Sequence, residues 1–183
     1  MKMKVEEKTL KENVVFSGRI ITVRDDTVLL PDNTTAHREV VAHNGGVCVA
    51  VLTEDDCIYL VSQFRYPYME TVLEVPAGKL EKGEDPYSAG IREALEETGC
   101  EVRELHSLGK FYPTPGYCGE TIHLYWADSY EMKEQKLDED EFLNVVKMPF
   151  SEALDMVMKG EITDGKTQTV ILKLALMKEE GKI

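Results

Sequence analysis

The chain has 183 residues, 43% of them hydrophobic and 30% charged, which suits one soluble folded domain with a real core. With 34 acids against 21 bases the formal net charge is −13, which argues against nucleic acid and anionic membrane as general partners. No run reaches the ~18 apolar residues of a membrane span. The charged start Met1-Lys2-Met3-Lys4 is not a signal peptide, and Cys48, Cys57, Cys100 and Cys118 have neither CxxC nor metal-ligand spacing, as in a reduced cytoplasmic protein.

In chain order, the first third reads as β structure. Residues 13–17 and 19–30 are rich in Val, Ile, Thr and Leu, Pro31-Asp32-Asn33 is a turn, and residues 34–43 return as a hairpin arm. Gly45-Gly46 precedes an almost continuous apolar run over 47–52, which suits a strand buried on both faces. Glu54-Asp55-Asp56 turns the chain, and 57–63 pairs back. The next element is a helix bounded by Asp85 as N-cap, Pro86 at the first position and Gly99 past the end.

On that helix Tyr87, Ile91, Ala94, Leu95 and Thr98 fall on one arc, expected to pack inward. Glu93, Glu96 and Glu97 fall on the other, and Glu93 and Glu97 are one turn apart. Such a face is either solvated or a site. Like charges at this spacing repel, and only Arg92 lies within the helix to offset them. Ala89 and Gly90 leave open space on the acid side, as a ligand or another backbone would need. Clustered carboxylates beside open space suit a hard divalent cation.

Residues 105–112 and 120–127 follow as strands joined by Pro113-Thr114-Pro115-Gly116-Tyr117-Cys118-Gly119, whose prolines and glycines imply a fixed binding loop. An acidic loop ends in Leu137-Asp138-Glu139-Asp140-Glu141, and a strand spans 142–148. Ser151 is expected to cap a helix to Lys159, closed by Gly160. A last helix covers 167–180, with Val170, Leu174 and Met177 as its core stripe. Strands flanked by a few helices make an α+β sandwich.

The 23 residues from Gly78 to Cys100 carry a longer pattern: Gly78, five residues, Glu84, seven residues, Arg92-Glu93, two residues, Glu96-Glu97, one residue, Gly99, Cys100. With seven fixed identities it matches the Nudix box, and the chain resembles a Nudix hydrolase. Ala94 and Cys100 are small for the hydrophobic slots. The resemblance implies an α/β/α sandwich with a mixed central sheet and an N-terminal β-hairpin arm. It implies a single domain over 1–183, with the strands of 1–44 contributing to dimerisation and 45–183 as catalytic core.

By the same resemblance Glu93 and Glu97 are metal ligands, with Glu96 a ligand directly or through water, and the Ala77 carbonyl is a further ligand. Arg92 and Glu84 orient the glutamates, or Glu84 is a plain loop acid. The cofactor is Mg²⁺, with Mn²⁺ as the alternative. Glu139 is the candidate general base and Glu141 a further metal ligand. Residues two apart in an extended segment point the same way, although Asp138 to Glu141 also reads as a solvated acidic turn. The choice of base among Glu139, Asp140 and Glu141 stays open.

Pro115, sixteen residues after Gly99, stands where a proline marks ADP-ribose pyrophosphatases within the family. His37-Arg38-Glu39-Val40-Val41, Gln63-Phe64-Arg65, Glu74-Val75-Pro76-Ala77-Gly78 and Tyr112-Pro113-Thr114-Pro115-Gly116 extend the similarity from about residue 14 to 175. Arg38, Glu39, Arg65 and Glu120 match substrate-contacting positions, with Gly116 in the binding loop. Arg65 could fork onto a phosphate, and Arg38 and Glu39 could instead be an exposed strand pair. The implied assembly is a homodimer that exchanges its N-terminal strands. Where relatives place an aromatic to stack on adenine, this chain has Ile20, with Phe16 nearby.

The implied reaction is hydrolysis of ADP-ribose to AMP and ribose 5-phosphate. Another nucleoside diphosphate sugar such as GDP-mannose is the neighbouring alternative. A non-catalytic nucleotide-sensing module is disfavoured, because Glu93, Glu96 and Glu97 are all kept and no segment is left for a DNA-binding domain.

Overall fold

Residues 4–137 and 141–183 are described in the computed structural model of the chain. They fall into two units, Met1–Gly45 with Tyr112–Thr121, and Gly46–Phe111 with Ile122–Ile183. In the first unit β1 (Lys8–Lys11), β2 (Val14–Ser17), β3 (Thr22–Leu29) and β4 (Thr35–Ala42) form one antiparallel sheet. β1 and β2 lie end to end along one edge of β3, and β4 takes the other edge. The expected turn closes the β3–β4 hairpin. Asn33 adopts a positive φ of 68°, the Leu30 N–H donates to Thr34 O, and Asp32 accepts from the Thr34 N–H at 2.9 Å. Segment 112–121 is fastened to β4, since the Val41 N–H donates to Tyr117 O and Val41 O accepts from the Gly119 N–H.

The second unit holds β5 (Gly46–Leu52), β6 (Cys57–Arg65), β7 (Glu70–Glu74), β8 (Ala77–Lys79), α1 (Pro86–Thr98), β9 (Cys100–Val102), β10 (His106–Phe111), β11 (Ile122–Ala127), β12 (Tyr130–Met132), β13 (Leu143–Pro149), α2 (Phe150–Lys159) and α3 (Gly165–Glu179). Its main sheet runs β10-β11-β5-β6-β13, mixed because β5 and β11 are parallel. Every residue of β5 is buried, as its apolar run requires. Cys48, Ala50 and Leu52 join a core with Phe150, Val157, Val170 and Leu174 of α2 and α3. Val49 and Val51 pack with Ala94 of α1 and with Cys100, Val102 and Leu105. The period-2 alternation thus feeds two layers, giving helices on both faces of a mixed sheet.

β5 and β6 pair only at Val51–Tyr59 and Leu52–Ile58 and then diverge. Beyond that point β8 pairs with β5 over Gly46 to Cys48, and Val49 N–H donates to Pro76 O. The chain from Glu74 to Lys79 therefore runs alongside the fork, which carries Ala77 to α1.

Three expectations are corrected. The inward arc of α1 was drawn too far round: Ala94 and Thr98 are buried, but so are Ala89, Gly90, Glu93 and Glu97, while Tyr87 is exposed. The reason lies in Gly90, where a Cβ would meet Leu105 Cδ1 at 2.8 Å and Val49 Cγ2 at 3.2 Å. The glycine serves close approach of helix to sheet, and so brings the acids inward. α2 starts at Phe150 after Pro149, not at a Ser151 cap. α3 starts at Gly165, capped by Asp164, two residues before the expected start.

Candidate active site

Helix α1 begins as its sequence requires. Asp85 is extended and accepts from the Ser88 N–H at 3.0 Å, and Pro86 follows. It ends at Gly99, whose φ of 75° and approach to Lys133 O leave no room for a side chain. The segment after β12 docks on this end. Lys133 N–H donates to Gly99 O, Lys136 N–H to Glu96 O, and the Gln135 amide to Glu97 O at 2.6 Å. Those contacts satisfy carbonyls that the helix end leaves open, and Gln135 and Lys136 carried no signal in the sequence.

Arg92 gathers three carboxylates. Its Nε donates to Glu84 Oε1 at 3.1 Å, its Nη1 to Glu96 Oε2 at 2.8 Å, and the same Nη1 lies 2.8 Å from Glu93 Oε1. Glu84 is held below the usual carboxylate range, first by the Glu81 N–H and then by Arg92. Glu93 behaves otherwise. Burial pushes it up to about 7, although Arg92 opposes the shift, and the charges of Glu96 and Glu141 add to it. A Cβ on Gly78 would overlap the Glu93 carboxylate where it lies, so a side chain there would displace that carboxylate.

Glu97 is the more deeply buried of the pair. Its Oε2 accepts from the Ala77 N–H at 2.8 Å, yet burial and the charges of Glu93 and Glu141 push it up to about 8. The structure therefore brings Ala77, Arg92, Glu93, Glu96 and Glu97 together, with the charge of Glu141 felt at both buried carboxyls. Glu139, the candidate base, lies outside the described residues, as do Asp138 and Asp140.

The charge of Arg65 is also felt at Glu97, where it opposes the shift. The Arg65 Nε and Nη2 fork onto Glu74 Oε1 and Oε2 at 2.5 and 2.7 Å. Glu74, fully buried, also takes the Lys166 ammonium on Oε2, and Asp164 Oδ1 holds that ammonium at 3.0 Å. Burial alone would raise Glu74, but Arg65 and Lys166 outweigh it and hold the carboxyl low. For Lys166 burial works against the charge, and Asp164 and Glu74 reverse that. Sequence reasoning missed Lys166, whose one signal was a cation in the first turn of a helix, where the dipole disfavours it.

The first unit has its own pocket of about 520 Å³, lined by Asp25, His37, Arg38, Glu39, Gly116 and Tyr117. It unites Arg38, Glu39 and Gly116 from two separate stretches and adds His37 and Tyr117, which were not singled out. The Arg38 guanidinium is forked onto Glu7 at 3.0 and 2.6 Å, so an anionic ligand there competes with Glu7. Glu120 is not among the lining residues and sits 3.5 Å from His43 Nδ1. Phe16 and Ile20 are both exposed, and neither lines the pocket.

Among the described residues no three His, Cys, Asp or Glu side chains already converge on one point as metal ligands. The donor set nevertheless fits a hard divalent cation. Two carboxylates one helical turn apart are buried together, and burial pushes them up to about 7 and about 8 although the charges of Arg92 and Arg65 oppose it. Carboxylate oxygens with a backbone carbonyl are the donors that Mg²⁺ and Mn²⁺ accept.

A profile of the NUDIX domain matches residues 42–167, and one described as the nucleoside diphosphate sugar hydrolase N-terminal domain matches residues 7–41. The chain is 42% identical over 173 residues to a methanol dehydrogenase activator of Bacillus methanolicus, covering 93% of this chain and 94% of the relative. It is 40% identical over 174 residues to an ADP-ribose pyrophosphatase of Bacillus subtilis, covering 94% of each. It is also 32% identical over 176 residues to a GDP-mannose pyrophosphatase of Salmonella typhi, covering 87% of this chain and 90% of that one.

Proposed function

The chain belongs to the Nudix hydrolases, and from that premise we propose that it hydrolyses the diphosphate bond of ADP-ribose, releasing AMP and ribose 5-phosphate. The observation that carries this reading is the buried Glu93–Glu97 pair, raised to about 7 and about 8 beside Arg92 and Ala77. The choice of ADP-ribose rests on the likeness to the Bacillus subtilis pyrophosphatase over most of both chains. GDP-mannose is the second reading, favoured by the Salmonella relative. The likeness to an activator of methanol dehydrogenase leaves the acid cluster, and hence the hydrolytic reading, in place.

Glu93, Glu97, Glu141 and the Ala77 carbonyl would hold Mg²⁺ or Mn²⁺, with Glu96 beside them. When bound, the ion polarises phosphate oxygens and activates water. The chain's own residues supply the rest. Arg92 holds Glu96 and Glu93 from one side, and the Ala77 N–H fixes Glu97. Glu139 takes the proton of a water whose oxygen bonds to one phosphorus as the anhydride P–O bond breaks. Arg65 meets the phosphates, and within the first unit Arg38, Glu39, Gly116 and Glu120 are the proposed substrate contacts.

The working assembly is a cytoplasmic homodimer. Exposed Val14, Val15, Phe16 and Ile20 in the first unit support it, because apolar side chains so grouped favour a partner surface. Light scattering giving the mass of a single 20.7 kDa chain would count against it. For the activity, a phosphatase-coupled assay is run across nucleoside diphosphate sugars with and without Mg²⁺. Metal-dependent turnover with ADP-ribose preferred is the expected result. Preference for a guanine or uracil sugar replaces the substrate, and no turnover of any sugar with metal present ends the hydrolase reading.

A further inference from the structure

The start of α3 reaches back to the segment that precedes the acid helix. Thr167 Oγ1 accepts from the Val75 N–H at 2.9 Å and donates to the capping Asp164. One residue earlier, the Lys166 ammonium bonds the same Glu74 oxygen that receives Arg65 Nη2. Asp164 Oδ1 holds that ammonium from the other side at 3.0 Å. Lys166 and Glu74 are buried, whereas the Arg65 side chain is 39% exposed. With Nε and Nη2 taken, Nη1 of Arg65 has no hydrogen-bond partner among the described residues.

A buried lysine in the first turn of a helix is costly twice over, through desolvation and through the helix dipole. An apolar residue would fill the space at lower cost. What the lysine adds is a fixed place for Glu74 Oε2, and therefore for the guanidinium forked onto it. Both Glu74 oxygens are then committed, and Arg65 is left one orientation with a free N–H edge.

We propose that Lys166 is a positioning residue of this hydrolase, holding Glu74 so that Arg65 presents its free edge to a substrate phosphate. The proposal rests on the reading of Arg65 as a phosphate contact. It assigns the Asp164-Gly165-Lys166 turn, 92 residues from Glu74, a part in substrate binding beyond its place at the head of a core helix.

The test is a double-mutant cycle of Lys166→Met and Arg65→Met. Its readouts are kcat and KM for ADP-ribose, and calorimetric binding of ADP in the presence of Mg²⁺. Lys166→Met is expected to raise KM and weaken ADP binding about tenfold while changing kcat less. In the Arg65→Met background it is expected to add almost nothing. Equal losses in both backgrounds, or an unchanged KM in a folded Lys166→Met protein, would overturn the proposal. Glu74→Gln enters the same cycle if Lys166→Met does not fold. Collapse of both variants would make the network purely structural, and that too overturns it. If the wild-type protein turned over no nucleotide sugar, the substrate reading would fall, and the ADP titration would still decide whether Lys166 acts through Arg65.

Discussion

Glu74 and Glu97 are equally buried, each 2% exposed, yet their carboxyls shift in opposite directions. Around Glu74 the charges balance, with Arg65 and Lys166 against Glu74 and Asp164. Around Glu97 they do not: Arg92 faces Glu84, Glu93 and Glu96, and among the described residues the Glu97 carboxyl receives one hydrogen bond, from a backbone N–H, with the charge of Arg65 felt there but not paired with it. Burial is common to both, so the difference comes from the partners. The balanced network is complete as it stands and fixes geometry. The unbalanced one holds more carboxylates than cations, and the proposed Mg²⁺ or Mn²⁺ would supply the missing charge.

Neutralising a member of the unbalanced cluster is the sharpest way to break that contrast. Glu97→Gln keeps the shape and the acceptor for the Ala77 N–H. We expect turnover to fall by more than about 100-fold, since even outer partners of metal ligands cost 10–100-fold. Metal-free thermal stability should hold or rise, because an unpaired buried acid is removed. Near-normal turnover in the folded variant would take Glu97 out of the site and leave its raised pKa a consequence of packing alone.

The acid cluster was legible because its signals are local. Caps at Asp85 and Gly99 and the one-turn spacing of Glu93 and Glu97 are properties of one helix. Its orientation was not legible: Gly90 read as room for a ligand or another backbone, and only the positions of Leu105 and Val49 show that it seats the helix on the sheet. Strands β7 and β8 went unseen for a related reason. Ala77-Gly78-Lys79 has no alternation of its own and becomes a strand because β5 and β6 diverge and leave an edge to fill. Lys166 was missed because its partner Glu74 lies 92 residues away, and no periodicity reports such a contact. By contrast the α3 stripe was right at Val170 and Leu174, where local spacing and burial agree.

pH separates the two clusters with a smaller effect. Glu93 and Glu97 have folded pKa values above their ordinary 4.5. The stability they contribute is therefore fully present below about pH 4.5 and lost as pH rises through about 7 and 8. Glu74 is depressed, so its contribution is present above about pH 4.5 and lost as pH falls through its lowered value. Thermal midpoints in chelator should show Glu97→Gln gaining on wild type between about pH 5 and 8, and Glu74→Gln losing least below about pH 4.5. Mg²⁺ should raise the wild-type midpoint more at pH 8 than at pH 6, because the ion meets ionised carboxylates there. Parallel pH curves for wild type and the two variants would erase the distinction.

Asp85 belongs to neither network and sets the lower end of the scale. It accepts from the Ser88 N–H and hydroxyl, both at 3.0 Å, and satisfies the open start of α1. Asp85→Ala should cost about 1 kcal/mol, a fall of roughly 2–4 °C in Tm for a domain of this size. The glutamates lie two to three turns beyond the cap, held by Arg92 and by the Ala77 N–H rather than by the helix start. We therefore expect turnover within about twofold of wild type and unchanged Mg²⁺ dependence, because fraying at a helix end stays within its first turn. A loss of activity out of proportion to the fall in Tm would mean that the cap, and not the ion pairs, sets the place of Glu93 and Glu97. The line between a charge-deficient site and its self-sufficient neighbour would then have to be redrawn along the helix backbone.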